Sequence, residues 1–541
     1  MKCVAAIFAD LKRTHIGTRS RLAEPLADRP ILRRTIERLA RATCLDEIVL
    51  LAPPDQRPNI QQLLAGLPRV DLSPIDCPSA PYADLVRAGR FWGLDGWRGG
   101  IGGLCSFDED ANTAVLAQLA QEKNADVVAV VPAAAPLIDP TLTDELIRHY
   151  QRTGHPFGMT FSQTPPGLCP AVFSRPLLEQ MAHTRQPLGR VLVYDPDQPV
   201  ADLAGKDPCY RPAAQIIESS GRLVCDTTRS LRRVQRLLDA GADNWDAVQI
   251  ARWLTDQDQR WTEEVPAEIE IELTTEFRPA AESLLRPGAP QVPARGPIGL
   301  NLIEAVAAAI AGVDDVRIVL GGFGDPCCHP RFTDICRLIR PVAAAIAVRT
   351  PARLDDSAVE SALFDTPIDV VEVTLDAMTR ESYRRVHDID AFDAVSARLD
   401  GWLARREAAT SLLPIFLPSF VKSADTIEEM ESFFDHWQRR LGMVLVTGYS
   451  HCAGQRPPLA LTSMAPSQRG PCRRTFSRAV VLADGSLTTC DQDFAGRQTL
   501  GRLGDQSFAE LWQHAPCLNE IRSNDLKNAP LCPACDEWHR P

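Results

Sequence analysis

The chain contains no apolar run approaching the roughly 20 residues that a membrane-crossing helix requires. It also lacks a basic excess: 58 Lys and Arg stand against 70 Asp and Glu, a formal net charge of −12. Phosphate-binding surfaces need the opposite balance, so a nucleic-acid partner is not expected. The density of cysteine that marks a disulfide scaffold is missing too. Sixteen cysteines spread over 541 residues read as reduced thiols or metal ligands. The opening stretch MKCVAAIFADLKRTH has a short apolar core followed by charges, the pattern of a first β-strand and not of a secretory signal. No membrane span and no signal together predict a cytoplasmic protein. What is present is an ordinary globular composition, 45% hydrophobic and 24% charged. The length calls for about two to four domains.

Short apolar runs alternate with longer amphipathic stretches from the start to about residue 250. CVAAIFA, EIVLLAP and DVVAVVPA read as strands; ILRRTIERLARAT, TAVLAQLAQEKN and PTLTDELIRHYQR read as helices. This is the signature of an α/β domain with a mostly parallel sheet, placed at 1–254. The polar stretch 255–267 is expected to be a linker. A second α/β series fills 268–455, with strands in EIEIEL, DVRIVLGG, AAIAVRT, DVVEVTLDA and LLPIFLPSF. Five such units predict a partial or open barrel whose ligand sites lie at the C-terminal ends of the strands. Residues 456–541 are loop-rich and are expected to form a small cysteine-containing domain.

Most cysteines, such as Cys3, Cys44, Cys105 and Cys225, stand alone among apolar residues and read as buried small hydrophobes. The tail differs. Cys532 and Cys535 form CPAC, a turn that lets two thiolates bind one centre, and Cys472 and Cys490 can complete the shell. VVLADGSLTTC reads as a hairpin with Asp-Gly at its turn, delivering Cys490 at the end of the return strand. Four thiolates suit a [4Fe–4S] cluster or a tetrahedral zinc, and spacing does not choose between them. The bland reading is four cysteines that bind nothing. Cys517, within FAELWQHAPCLNEI, is expected to be core.

The order Cys472, Gly485, Cys490, FAELWQ, Cys532-x-x-Cys535 resembles a shortened SPASM domain, the auxiliary-cluster extension that follows radical S-adenosylmethionine (radical SAM) barrels. That resemblance implies one iron–sulfur cluster over zinc. LGGFGDPCCHPRF (320–332) resembles the glycine segment of those barrels, which implies backbone contact of Gly321, Gly322 and Gly324 with S-adenosylmethionine. VEVTLDAMTRESYRRV (371–386) resembles their fourth-strand stretch, with Thr374, Asp376 and Tyr383 at family-like positions. The family's first strand carries C-x-x-x-C-x-x-C, the ligands of the cluster that cleaves the cofactor. Here Phe277, Ala281 and Leu284 occupy those places, so S-adenosylmethionine chemistry is doubtful. Cys327, Cys328 and Cys336 lie one strand away and are expected to be core, with a relocated metal site as the sharper reading.

RSRLAEPLADRPILRRTIERL (19–39), VVPAAAPLIDP (130–140) and GRLVCDTTRSL (221–231) resemble acylneuraminate-type cytidylyltransferases of the nucleotidyltransferase fold. The resemblance implies a triphosphate loop containing Arg21 and a metal carboxylate at Asp226. The family's Pro-Gly-Lys is Ala23-Glu24-Pro25 here, and Ala134 stands where the other metal Asp belongs. Gly17, Thr18 and Arg19 are expected to form an inert structural loop, with a phosphate cradle as the sharper reading. The whole combination resembles the spiro-SPASM group. Three functions stay open: an iron–sulfur redox or maturation protein, a non-catalytic module for a nucleotide-sugar, peptide or protein partner, and a cytidylyltransferase-like enzyme.

Overall fold

The run CVAAIF has no polar residue, and a strand apolar on both faces must be covered on both. It forms β1 (Cys3–Phe8), entirely buried. Its residues alternate, Cys3, Ala5 and Ile7 facing one apolar cluster and Val4, Ala6 and Phe8 the other. This computed structural model describes residues 1–67, 69–93, 95–98, 101–199, 206–257, 261–279 and 292–540. Two compact units divide the chain, Met1–Trp261 and Thr262–Pro541.

In the first unit β1 is followed by β2 (Pro25–Leu26), β3 (Arg29–Pro30), β4 (Glu47–Leu51), β5 (Val70–Leu72), β6 (Val127–Val130), β7 (Met159–Ser162), β8 (Ala171–Ser174) and β9 (Cys209–Tyr210). The main sheet runs β5-β4-β1-β6-β8-β7-β9, with β2 and β3 a separate antiparallel pair. β5, β4, β1 and β6 are parallel, as the strand–helix alternation predicts. β8 reverses the direction and is antiparallel to both β6 and β7. The helix Ala247–Asp256 runs into the first residues of the expected linker.

The second unit holds β10 (Glu268–Glu272), β11 (Arg317–Gly321), β12 (Ala345–Thr350), β13 (Val370–Thr374), β14 (Ile415–Lys422), β15 (Leu445–Gly448), β16 (Arg478–Val481), β17 (Ser486–Thr488) and β18 (Thr499–Arg502). The order is β15-β14-β13-β12-β11-β10-β16-β17-β18, parallel from β15 through β16 and antiparallel beyond. Each unit is thus a mixed α/β body on a large parallel-rich sheet. The strands of the tail extend the second unit's sheet, β16 lying parallel beside β10.

β10 shows how the sequence sets the interior. Ile269 and Ile271 point into the apolar core with Ile303 and Val306 of the helix Leu300–Ile310. The alternate residues Glu268, Glu270 and Glu272 are buried as well, at 5%, 5% and 1% exposure. A buried carboxylate is tolerated only when paired. Glu268 pairs with Arg317 and, at 3.4 Å, with Arg478; Glu270 meets Arg349 at 3.1 Å and Glu272 meets Arg295 at 2.6 Å. Arg349 also reaches Glu372 at 3.1 Å. Charge, not apolar side chains, fills that face.

Candidate metal centre

Strand β16 is bracketed by two of the four tail cysteines. Cys472 precedes the one-turn helix Arg474–Ser477, which runs directly into β16. The hairpin turn closes with the Gly485 N–H donating to the Leu482 carbonyl at 2.8 Å, and Gly485 adopts φ +89°, which glycine permits. Cys490 follows β17 by two residues. Cys532 and Cys535 come from a tight turn in which the Cys535 N–H donates to the Cys532 carbonyl at 3.1 Å. All four line one cavity, together with Arg469, Arg474 and Gln498.

The sulfurs are surrounded by donors. The Glu537 N–H points at Cys535 Sγ at 3.3 Å and the Gln498 amide at Cys532 Sγ at 3.6 Å. Backbone N–H groups of Thr475 and Arg474 act on Cys472, and that of Gln492 on Cys490. Burial pushes all four thiols up, Cys535 to about 12, with the Arg469 and Arg474 guanidinium groups pulling the other way. Protonated at neutral pH, such thiols become thiolates when a metal displaces the proton. Among the described residues no three His, Cys, Asp or Glu converge on a single ion. The four thiols ring a space instead. Cys517 does not line it; it packs against the sheet core from the helix Pro516–Arg522.

At the end of β11, Gly321, Gly322 and Gly324 lie against the backbone that follows β10. The Gly322 N–H donates to Glu270 Oε1 at 2.8 Å and the Phe323 N–H to Glu272 Oε2 at 3.3 Å. A Cβ on Gly324 would stand 2.3 Å from the Thr274 carbonyl oxygen. Phe277 packs edge-on against Phe323, which in turn meets Phe494, each pair 6.2 Å apart. Ala281 and Leu284 lie outside the described residues. Cys327 and Cys336 belong to the apolar core, and Cys328 is buried beside them. Asp376 accepts the Val421 N–H at 2.8 Å, and the Tyr383 hydroxyl accepts from Arg353 Nε at 3.1 Å. Thr374 is buried at the end of β13.

In the first unit Arg21, Asp226 and Ala134 line one cavity with Arg13 and His15. Asp226 precedes the helix Thr228–Asp239, capped by Thr227. Its carboxylate is held by Arg222, whose Nε donates to Oδ1 at 2.8 Å and to Oδ2 at 3.1 Å. Arg222 also pairs with Glu109, which Arg90 approaches at 3.2 Å. Sequence reasoning passed over Arg222, because Glu109 is 113 residues away in the chain. Arg21 donates to the Thr228 hydroxyl at 2.9 Å, and Glu24 pairs with Arg19. The Gly17 loop closes on itself, the Gly17 N–H donating to Thr14 O at 3.0 Å, and the Thr18 hydroxyl donates to the Asp226 carbonyl.

Four thiols thus line one cavity, two of them on a C-x-x-C turn and all approached by N–H donors. Residues 472–536 match the family model of SPASM, an iron-sulfur cluster-binding domain. An uncharacterized protein of Treponema pallidum (strain Nichols) is 24% identical over 290 residues, 51% of this chain and 79% of that protein. Among solved structures, SuiB of Streptococcus suis bound to its precursor peptide SuiA shows 13% identity over 57% of this chain and 83% of its own, with a TM-score of 0.40. BtrN in complex with AdoMet and 2-DOIA shows 17% over 48% and 86%, TM-score 0.32. A cytidylyltransferase from Leptospira borgpetersenii shows 14% over 48% and 94%, TM-score 0.31.

Proposed function

We propose that this chain holds one [4Fe–4S] cluster through Cys472, Cys490, Cys532 and Cys535, and serves a redox or modification-associated role of the radical SAM/SPASM type. The observation that carries the reading is the meeting of these four thiols at one cavity inside the SPASM match. The residues present fit the group. Buried thiols supply the ligands, amides of the backbone and of Gln498 supply hydrogen bonds to sulfur, and two guanidinium groups offset negative charge. The SPASM match, an iron-sulfur cluster-binding domain, favours a cluster over the zinc that four thiolates could also hold. When bound, the cluster would supply one-electron transfer or local structure. S-adenosylmethionine, if it binds, is not cleaved, because Phe277 packs apolar surface where a ligating thiolate is needed. The first unit is read as a non-catalytic binding module for a small-molecule, peptide or protein partner, and the division of the second into barrel (268–455) and tail (456–541) belongs to this proposal.

Protein isolated anaerobically is expected to be brown, with about four irons and matching sulfide per chain. Cys532→Ser is expected to strip the metal and loosen the tail, since metal binding and local folding are coupled. Stoichiometric zinc without sulfide would exclude the cluster.

A further inference from the structure

The four-thiol cavity contains a cation that its own protein partners only partly use. The Arg474 side chain is 9% exposed. Its Nη1 donates to Asp491, its Nη2 stands 4.0 Å from Glu537 Oε2, and its buried Nε–H meets no acceptor. Leaving a buried charged donor unsatisfied is costly unless something else completes it. The guanidinium lies beside Cys472 and Cys490, the two ligands that bracket β16. Asp491 is the residue after Cys490, so a carboxylate and a guanidinium flank the same thiol.

We propose that Arg474 is a positioning residue that sets the electron affinity of this centre: its unpartnered Nε–H donates to a sulfur of the bound group, and its charge favours the reduced state, with Asp491 opposing it. The inference rests on the iron–sulfur reading above. A centre ligated by four thiolates is already anionic, and accepting one electron from a one-electron donor makes it more so, with no bond made or broken. A buried cation within a few ångströms stabilises that added charge far more than water would. Hydrogen bonds to sulfur and local net charge are the levers a protein has on such a potential. Arg474 supplies both from one side chain.

The test uses the full chain, reconstituted anaerobically, as wild type, Arg474→Gln, Arg474→Lys and Asp491→Asn. Iron and sulfide are measured first, and each protein is then titrated with dithionite through mediators and followed by electron paramagnetic resonance. Arg474→Gln is expected to keep its iron and to be harder to reduce by at least about tenfold in the reduction equilibrium, roughly 59 mV for one electron. Arg474→Lys keeps the charge and loses the planar donor, so it should fall between. Asp491→Asn should move the potential upward. Opposite signs for the two partners are what a charge effect demands and a packing effect does not produce. Unchanged potentials with the cluster intact, or shifts of one sign in both, overturn the proposal. Should Arg474→Gln lose its iron, Arg474→Lys and Asp491→Asn decide by the same signs. A wild type with neither iron nor sulfide removes the iron–sulfur reading itself, and this inference with it.

Discussion

At the scale of single residues, a cation of the chain itself sits where the sequence resemblance implies a metal. In the family that the first unit resembles, Asp226 would hold a metal; here Arg222 takes both carboxylate oxygens and shares Glu109. Ala134 offers no oxygen at all. A divalent ion could reach Asp226 only by displacing Arg222, and breaking such a buried pair costs about 3–5 kcal/mol. Pyrophosphate release from CTP with Mg²⁺ and candidate sugar acids is therefore expected to stay at background. Magnesium-dependent turnover that vanishes in Asp226→Asn would refute this. Asp226 and Ala134 were both legible in the sequence, because each sits in a motif. Arg222 was not, although only four residues from Asp226. A guanidinium's partner is fixed by the fold, not by its neighbours in the chain.

At the scale of elements, the short apolar runs located β1, β4 and β6 and then β10 to β14, since buried parallel strands need apolar side chains on both faces. The short strands β5, β7, β8, β9 and β18 were not legible, nor was β15, whose four residues are only half-buried, and the reversal at β8 leaves no trace in a pattern that reports burial, not direction. EIEIE read as a strand, yet its alternation suggests one wet face; all five residues are buried, with arginines from β11, β12, β16 and a loop at Arg295 closing the charges. The glycines after β11 were read as a place of close approach. The approach is to the chain's own strand: a Cβ on Gly322, at φ +81°, would stand 2.6 Å from Glu272 Cβ and 2.8 Å from its Cα. Gly322→Ala is expected to destabilise the protein by about 2–4 kcal/mol, combining left-handed strain with overpacking. Gly312→Ala, at φ +86° with nothing within 4 Å, should cost only the strain, about 1–2 kcal/mol. Equal shifts of the urea midpoint in the two variants would show that the contact with Glu272 does not constrain Gly322.

At the scale of the molecule, the thiols of the second unit lie in different surroundings. Cys472, Cys490, Cys532 and Cys535 meet at a cavity, while Cys327 and Cys336 are packed in the core and Cys517 against it. Iron-reconstituted, reduced protein incubated with S-adenosylmethionine is accordingly expected to yield no 5′-deoxyadenosine. Catalytic product that disappears in Cys327→Ala or Cys328→Ala would relocate a cluster to the mouth of the barrel. The pairing of β10 with β16 carries a consequence for how the chain is made. The Ala483 N–H and the Glu272 carboxylate that it meets are 211 residues apart. During synthesis the β16 side of β10 therefore stays open while β11 to β15 are assembled, a bare strand edge of the kind that recruits foreign strands. Glu268, Glu270 and Glu272 place three negative charges along that edge. Their partners Arg295, Arg317 and Arg349 precede β16 in the chain and are there to neutralise them, so only the second partner of Glu268, Arg478, arrives with the strand that closes the edge.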